Sequence, residues 1–306
     1  MSDPELVSFP TNPAPGIKPV RVTASLHLPA SGRPAPAMVL LTSSGGVQRH
    51  REHWYAENLN AHGIAALIVD SFKPRGVRST VADQRLVSAW EMENDAFAAL
   101  DLLRHDERID PGRIGVLGVS KGGIAAIAAA VEIRQRWRRT GGMLFALHVA
   151  IVPGCTVQHR IPRSTGRPML FQLAEKDDYT PAALCQSYAA RFRALGNERV
   201  VVRVYEGAHH GWEAIGPLHE LRRAENYSHC RALVEDDGSV FVPLLAGHMS
   251  QDDYSLWARE NCMFVGRTHA GGGTAELRRR ATDDLLAFLA ANGFSASSGS
   301  SPARRG

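Results

Sequence analysis

Short apolar runs alternate with amphipathic segments along most of the chain. The apolar runs are rich in Val, Ile, Leu and Ala, as expected for buried β-strands, and lie at 37–41, 64–69, 114–119, 147–152, 168–173 and 200–204. The other segments predict helices at 53–62, 81–105, 121–134, 181–195 and 275–291. Continuous apolar strands that alternate with helices indicate a mostly parallel, doubly wound α/β sheet with right-handed crossovers.

The two ends of the chain depart from this alternation. Residues 1–18 are rich in proline and are predicted to form an extended lead-in, and residues 295–306 are predicted to be disordered. We expect neither end to carry chemistry. Residues 20–28 alternate apolar and polar positions, which indicates an antiparallel strand at the edge of the sheet. One domain over residues 19–294 is therefore expected.

One internal stretch, about 212–272, is longer than an ordinary connection between two elements of such a domain. We treat it as an insertion before the last helix. It either forms a lid over a functional site or is an addition to the sheet without a role in the site. A lid is plausible because long surface loops often carry function.

Charge and hydropathy exclude several classes of partner. The formal net charge of the 306 residues is +4, and part of the excess lies in the terminal arginines and in 134–139. No basic face for nucleic acid is apparent, and no apolar run has the length of a bilayer span. The N-terminal residues do not resemble a secretory signal. We therefore expect a cytoplasmic protein that binds a small molecule, with no nucleic-acid or membrane partner.

The four cysteines lack the C-x-x-C spacing of zinc ribbons and thioredoxin-like motifs. Free thiols and one or two disulfides both remain open. If bridges form, we expect Cys155 with Cys185 and Cys230 with Cys262, and such bridges would argue for an exported form.

Residues 118–122 read G-V-S-K-G, which matches the G-x-S-x-G pattern of a nucleophile elbow. The motif follows an apolar strand and precedes the helix-forming run from Gly123, so the order strand, tight turn, helix is met. A glycine-rich phosphate loop is the alternative, but the GKS, GKT and GxGxxG patterns are absent. We predict Ser120 as the nucleophile and the Lys121 backbone N–H as an oxyanion donor.

A serine nucleophile needs a base and an acid, and candidates for both follow later strands. Asp177 and Asp178 lie after the strand at 168–173, and His209 and His210 lie after the strand at 200–204. The order Ser, Asp, His at successive strand ends is that of α/β-hydrolases. From position alone, either aspartate and either histidine fit, and Asp177 could instead cap the next helix.

The chain resembles the dienelactone hydrolase family from about residue 20 to the last helix. The acid turn of that family, G-x-x-D-x-x-[VT]-P, falls on 174–181 with Ala in place of Gly, and this alignment implies Asp177. The histidine turn, G-A-x-H-G-[FW], falls on 207–212 and implies His210. The resemblance therefore implies the α/β-hydrolase fold and a Ser120, Asp177, His210 triad.

Two features depart from the family pattern. Dienelactone hydrolases proper use a cysteine nucleophile where this chain has Ser120, which argues against dienelactone as the substrate. The oxyanion turn H-G-x-G-G reads T-S-S-G-G at 42–46. It loses the His but keeps both later glycines, and we predict the second oxyanion donor near Ser44. Trp212 and Phe72 are predicted to shape the substrate pocket.

These residues predict a serine hydrolase that cleaves a small carboxylic ester or lactone through an acyl-enzyme, with no metal or organic cofactor. A peptidase or acyltransferase on the same fold is the alternative within enzymes, because a triad does not set the acceptor. A non-catalytic binding protein with this fold is the alternative outside enzymes.

Overall fold

The computed structural model describes residues 3–14, 16–30, 34–138 and 142–295. Its strands in chain order are β1 (Glu5–Pro10), β2 (Arg21–His27), β3 (Ala35–Leu41), β4 (Ala65–Asp70), β5 (Ile109–Val119), β6 (His148–Ile151), β7 (Val157–His159), β8 (Met169–Ala174), β9 (Val200–Tyr205), β10 (Leu218–Glu220), β11 (Glu225–Asn226), β12 (Ala232–Val234), β13 (Val240–Val242), β14 (Gly247–Met249), β15 (Phe264–Val265) and β16 (His269–Gly271). Its α-helices are α1 (Trp54–Ala61), α2 (Ala89–Arg104), α3 (Lys121–Ala128), α4 (Glu132–Arg138), α5 (Ala182–Ala194), α6 (Gln251–Asn261) and α7 (Ala275–Ala291). The predicted disordered tail lies, after residue 295, outside the described residues.

An eight-stranded sheet forms the centre, in the order β1-β2-β4-β3-β5-β6-β8-β9. The six strands from β4 to β9 in this order pair in parallel, as predicted from their continuous apolar runs. Strand β2 is antiparallel, as expected, but it does not lie at the edge. The edge is β1, which pairs with β2 from Glu5 to Pro10, so part of the predicted lead-in is a strand of the sheet.

Alternate residues of the central strands pack on opposite faces of the sheet. On one face Val39 and Leu41 of β3 belong to a buried cluster that includes Met92 of α2. On the other face Met38 of β3 packs in a cluster with α1 and with Leu285 of α7. Both faces are therefore covered by helices, which is why the strands are apolar throughout.

Two predicted helices are shorter than expected. Helix α2 begins at Ala89 and not near 81, because Ser88 and Glu91 form a capping box that fixes its start. The predicted helix at 121–134 is divided into α3 and α4. Between these two helices, the backbone at 130–132 forms hydrogen bonds with residues 163–165, and this pairing interrupts the helical pattern.

The insertion folds into short strands and one helix. Strand β10 pairs with β16, β11 pairs with β15, and β12, β13 and β14 form a sheet with β7. Helix α6 follows β14. The strands of the insertion therefore pair with one another and with β7. In the sequence, β7 lies between β6 and β8 of the central sheet.

Both cysteine pairs expected for a bridged protein are present as disulfides. Cys155 is bonded to Cys185, and Cys230 is bonded to Cys262 within the insertion, with a Cα–Cα distance of 5.2 Å in each pair. None of the four cysteines is therefore a free thiol in the structure. No helix in the described part of the chain combines the length and the apolar character that crossing a bilayer requires.

Candidate active site

Ser120 lies at the sharp junction between β5 and α3. Its backbone adopts φ 54° and ψ −111°, a strained conformation for a residue other than glycine. A Cβ on Gly118 would overlap the backbone of Gly122, and one on Gly122 would overlap the Leu41 and Thr42 carbonyl groups. The two glycines therefore permit the close approach of strand and helix that holds the serine at the turn.

His210 connects Ser120 to Asp177 by hydrogen bonds through both ring nitrogens. Its Nε2 lies 3.1 Å from Ser120 Oγ, and its Nδ1 lies 2.8 Å from Asp177 Oδ2. Ser120 is 5% exposed, and the other two residues are each 6% exposed. Three residues from separate loops thus form one chain of hydrogen bonds, from the Ser120 hydroxyl through the His210 ring to the Asp177 carboxylate. This arrangement suits transfer of the proton from the serine hydroxyl to the histidine.

Asp177 is held in place by the turn that follows it. The backbone N–H groups of Tyr179 and Thr180 donate to Asp177 Oδ1 at 2.9 and 2.7 Å. The other carboxylate oxygen, Oδ2, contacts His210. Asp177 therefore organises the turn before α5 and contacts the histidine with the same carboxylate.

The Thr180 hydroxyl is a member of this site that sequence reasoning missed. It lies 2.9 Å from Asp177 Oδ2, 3.1 Å from His210 Nδ1 and 3.0 Å from the Val152 carbonyl oxygen. The V or T of the family acid turn falls on this position, so the motif held the signal.

Asp178 and His209, the alternatives to Asp177 and His210, do not belong to this chain of hydrogen bonds. Asp178 accepts hydrogen bonds from the Thr268 hydroxyl at 3.0 Å and from the backbone N–H of His269 at 2.9 Å, and its Oδ2 lies 2.7 Å from His269 Nδ1. Burial raises the pKa of Asp178, but its bonds with His269 and Thr268 outweigh burial and hold that pKa below its ordinary value. Asp178 thus anchors the insertion. Among the described residues, the buried Nδ1 of His209 has no hydrogen-bond partner.

The two predicted oxyanion residues border the same cavity as Ser120. Ser44 is buried, its carbonyl oxygen accepts the Thr80 N–H at 2.8 Å, and its hydroxyl donates to Gln84 Oε1 at 2.9 Å. Lys121 is the first residue of α3. Their role as oxyanion donors stays a prediction.

The Lys121 side chain forms hydrogen bonds that were not predicted from the sequence. Its Nζ donates to Thr80 Oγ1 at 2.9 Å and to the Gln84 and Val87 carbonyl oxygens, each at 2.7 Å. Burial lowers the pKa of Lys121 to about 7, although nearby carboxylates partly oppose this shift. The side chain therefore ties the loop before α2 to the start of α3.

A cavity of about 980 Å³ opens above Ser120. Its walls come from the lead-in, the loop before α2, the start of α3, the segment after β6 and the insertion. The lining residues include Gly16, Ile17 and Lys18, so the end of the lead-in forms part of the cavity wall. No group of three or more His, Cys, Asp or Glu side chains within the described ranges could hold a metal ion.

Trp212 and Phe72, which were predicted to shape the substrate pocket, do not line this cavity. Both are fully buried, at 0% and 1% exposure. Trp212 packs against Tyr205 with ring centroids 5.1 Å apart, and Phe72 belongs to the core cluster on the face of α2. The structure therefore corrects their assignment from substrate contacts to core residues.

Similarity to known proteins is found at both the sequence and the structure level. The quorum-quenching protein AidA of Acinetobacter baumannii (strain MDR-ZJ06) is 32% identical over 113 residues. This match covers 37% of the chain and 36% of AidA, so the chain spans about a third of the length of that relative.

The structure of Thermogutta terrifontis esterase 2 phosphoramylated by tabun has a TM-score of 0.60 and 16% identity, and the match covers 97% of each chain. MGS-M1, an α/β hydrolase enzyme from a Medee basin deep-sea metagenome library, has a TM-score of 0.50 and 19% identity, over 70% of this chain and 86% of that one. These likenesses show the α/β-hydrolase fold.

The model of the dienelactone hydrolase family matches residues 22–233. This range contains β3 to β9 of the central sheet and all of β2 except its first residue, together with Ser120, Asp177 and His210. Because the match extends over well more than half of the chain, the protein belongs to the dienelactone hydrolase family.

Proposed function

We propose that this family member is a serine hydrolase that cleaves a small carboxylic ester or lactone through an acyl-enzyme intermediate. Membership of the family supports an ester hydrolase. The observation that carries the finer proposal is the hydrogen-bonded chain from Ser120 through His210 to Asp177, with the serine at the head of α3.

In the proposed cycle, His210 Nε2 takes the Ser120 proton as Oγ attacks the substrate carbonyl carbon. Asp177 holds the imidazole through Nδ1 and stabilises the positive charge that forms on it. The tetrahedral intermediate collapses when His210 protonates the leaving alcohol oxygen. Water activated by the same histidine then releases the acid and restores Ser120.

The negative oxygen of the intermediate needs donors that are already in place. The backbone N–H of Lys121, at the start of α3, and that of Ser44 are the proposed donors. Both residues border the cavity next to Ser120. The contacts of Ser44 with Thr80 and Gln84 would keep its turn rigid during the reaction.

A hydroxyl is a weaker nucleophile than a thiol at neutral pH, so its reaction depends more strongly on the base and on the carboxylate behind it. Asp177 receives two backbone N–H bonds, and the Thr180 hydroxyl lies beside both Asp177 and His210. This fixed acid turn is what a serine in place of the family's cysteine requires.

The first test measures hydrolysis of short-chain aryl esters and lactones by the wild type and by Ser120→Ala. We expect the variant to lose at least a thousandfold in kcat, because the residual rate comes only from binding and oxyanion stabilisation. Ser25→Ala, on a strand three places from β5 in the sheet, is the matched control and should retain full activity.

Covalent labelling provides the second readout. Thermogutta terrifontis esterase 2 has been described as phosphorylated by paraoxon, so paraoxon is a suitable probe for this chain. We expect one adduct, on the peptide containing Ser120, in the wild type and none in Ser120→Ala. A wild type inert to both esters and paraoxon would instead favour the non-catalytic binding protein.

A further inference from the structure

We propose that Gln84 is a positioning residue for the hydrolysis. Its side-chain amide joins the turn that carries Ser44 to the tyrosine ring that packs on His210, and so holds an oxyanion donor and the base in fixed positions. This inference rests on the proposed function and adds a residue to it. Three observations support it: the two partners of the amide, the contacts that fix the Gln84 backbone, and the place of these groups around the cavity.

The Gln84 side chain lies between two turns of the site. Its Oε1 accepts a hydrogen bond from the Ser44 hydroxyl at 2.9 Å, and its Nε2 donates to the Tyr179 hydroxyl at 3.0 Å. One amide therefore binds a residue of the oxyanion turn at one end and a residue of the acid turn at the other. Because the amide group is planar and rigid, it sets the separation of these two hydroxyl groups.

Each partner of the amide also restrains a group that takes part in the proposed reaction. The Tyr179 ring packs edge-on against the His210 imidazole, with centroids 5.0 Å apart. Ser44 carries a proposed oxyanion N–H, and its carbonyl oxygen accepts the Thr80 N–H at 2.8 Å. The bond to Gln84 holds Ser44 through its side chain as well. Removing the amide would therefore free both the oxyanion turn and the ring beside the base.

The Gln84 backbone is itself held from two directions. Its N–H donates to Glu225 Oε2 in the insertion at 2.8 Å, and its carbonyl oxygen accepts from Lys121 Nζ at 2.7 Å. Glu225 is 1% exposed and forms an ion pair with Arg259 of α6 at 2.8 Å. A residue that positions others must be fixed in its own place. These contacts fix Gln84 between the start of α3 and the insertion.

All the groups that meet at Gln84 border the cavity next to Ser120. The lining residues that take part are Ser44, Gln84, Lys121, Tyr179 and Glu225. Two roles fit a residue in this place: a direct contact with the substrate, or an action through Ser44 and Tyr179. The second is favoured because both polar ends of the amide are already bonded to protein groups. The two roles differ in what they require of the partner hydroxyls.

Replacing Gln84 by Met keeps the length of the side chain and removes both hydrogen bonds. We expect kcat for 4-nitrophenyl acetate to fall roughly tenfold, less than the loss caused by removing an oxyanion donor, because the donor is displaced and not deleted. KM should change by less than about threefold, since the released groups act mainly on the transition state. The burst of 4-nitrophenol from paraoxon counts reactive sites, so each kcat refers to folded enzyme.

A protein that lacks both partner hydroxyls separates the two roles. Ser44→Ala keeps the backbone N–H, and Tyr179→Phe keeps the ring against His210. In the variant with both changes, adding Gln84→Met should lower kcat by less than about twofold, because the amide has no partner left to hold. A direct contact with the substrate would give the same loss with and without the two hydroxyls.

The two hydroxyl variants also test the link without any change at Gln84. Either Ser44→Ala or Tyr179→Phe releases one end of the amide and weakens its hold on the other. The loss in kcat of the double variant should therefore be smaller than the product of the two single losses by at least about twofold. This comparison remains available if Gln84→Met does not fold.

Gln158 provides the matched control. It is also a partly buried glutamine, and its Nε2 donates to the Cys155 and Leu184 carbonyl oxygens at 3.1 and 3.2 Å. Its side chain does not line the cavity. Gln158→Met should therefore lower the stability of the protein and keep the wild-type kcat per reactive site. The difference between the two variants separates positioning of the site from a general loss of packing.

An unchanged kcat in Gln84→Met would overturn the inference, and so would an equal loss in the presence and absence of the two hydroxyls. Independent effects of Ser44→Ala and Tyr179→Phe would overturn it as well. Each of these results leaves the proposed function intact as long as turnover depends on Ser120. If the wild type hydrolyses no ester, or if hydrolysis survives Ser120→Ala, the proposed function itself fails.

Discussion

Replacing Lys121 by Met removes a buried cation while it keeps most of the side-chain volume. In the folded protein, Nζ donates to Thr80 Oγ1 and to the Gln84 and Val87 carbonyl oxygens. These three acceptors match the three N–H groups of an ammonium. Burial acts in the opposite direction and lowers the pKa of Lys121 to about 7. The variant therefore loses hydrogen bonds and at the same time escapes the cost of a buried charge.

The two effects depend differently on pH. The two orphaned carbonyl groups cost about 1–3 kcal/mol each, and removal of the buried charge offsets much of this near pH 7. The unfolded lysine keeps its proton up to a pKa of 10.5, whereas the folded one releases it near pH 7. Between these values the unfolded state binds more protons, so the free energy of unfolding of the wild type rises with pH.

The magnitude follows from the difference between the two pKa values. From pH 7 to pH 9, Lys121 adds about 2 kcal/mol to the free energy of unfolding, with a limiting slope of about 1.4 kcal/mol per pH unit. Methionine does not titrate. We therefore expect Lys121→Met to lose about 2 kcal/mol relative to the wild type over this interval, whatever the difference between the two proteins is at pH 7.

Urea unfolding at pH 7, 8 and 9, followed by tryptophan fluorescence and far-ultraviolet circular dichroism, measures this change. All other groups titrate alike in the two proteins and cancel in the difference. Lys73→Met is the control for the loss of a lysine, because this side chain is 76% exposed, whereas that of Lys121 is buried. A constant difference between the wild type and Lys121→Met would refute the reasoning and show that the three acceptors keep the ammonium charged.

Three further predictions concern the acid turn, the insertion and a buried histidine. Thr180→Val should lower kcat roughly tenfold with little change in KM, because it removes the hydroxyl beside His210, and Thr180→Ser should restore most of the activity; equal kcat in Thr180→Val and wild type would contradict this role. Asp178→Ala should destabilise the insertion by about 1–3 kcal/mol and expose residues 212–272 to limited proteolysis, because it leaves the His269 N–H without its acceptor; an unchanged cleavage pattern would argue against this anchor. Burial lowers the pKa of His148 from 6.5 to about 4, so the unfolded state binds more protons between these values, and this histidine alone should lower the free energy of unfolding by about 3 kcal/mol as the pH falls from 6.5 to 4. His148→Gln should lose less over the same interval in urea unfolding, and parallel profiles would exclude this histidine as the cause.

Most of the parallel strands were predictable because they are buried on both faces, whereas β9, at the edge of the sheet, is partly exposed. Runs such as 37–41 and 64–69 are apolar at every position, and a strand inside a covered parallel sheet removes all of these side chains from water. Strand β1 lacks this signal. Leu6 is 87% exposed, and β1 exists through its pairing with β2, which a local pattern does not reveal. The start of α2 was misplaced for a different reason, because it is set by the local capping box of Ser88 and Glu91, which the pattern of apolar positions does not show.

The contact between Ser120, His210 and Asp177 was predictable because parallel strands end at the same edge of the sheet, so loops far apart in sequence meet there. The same rule failed for Trp212, which follows His210 by only two residues. Gly211 between them has φ 66°, and this left-handed turn directs the chain back toward the core. Nearness in sequence therefore predicted the position of the loop but not the direction of each side chain.

The adjacent residues Asp177 and Asp178 make different contacts, which their shared position after one strand does not distinguish. Asp177 binds His210, and Asp178 binds Thr268 and His269 at the end of the insertion. The His210 carbonyl oxygen in turn accepts the Gly271 N–H. The insertion is thus bonded to both loops that carry His210 and Asp177. Moving the insertion away from the cavity would break bonds to the turns that hold His210 and Asp177, so these contacts favour a fixed wall over a hinged lid.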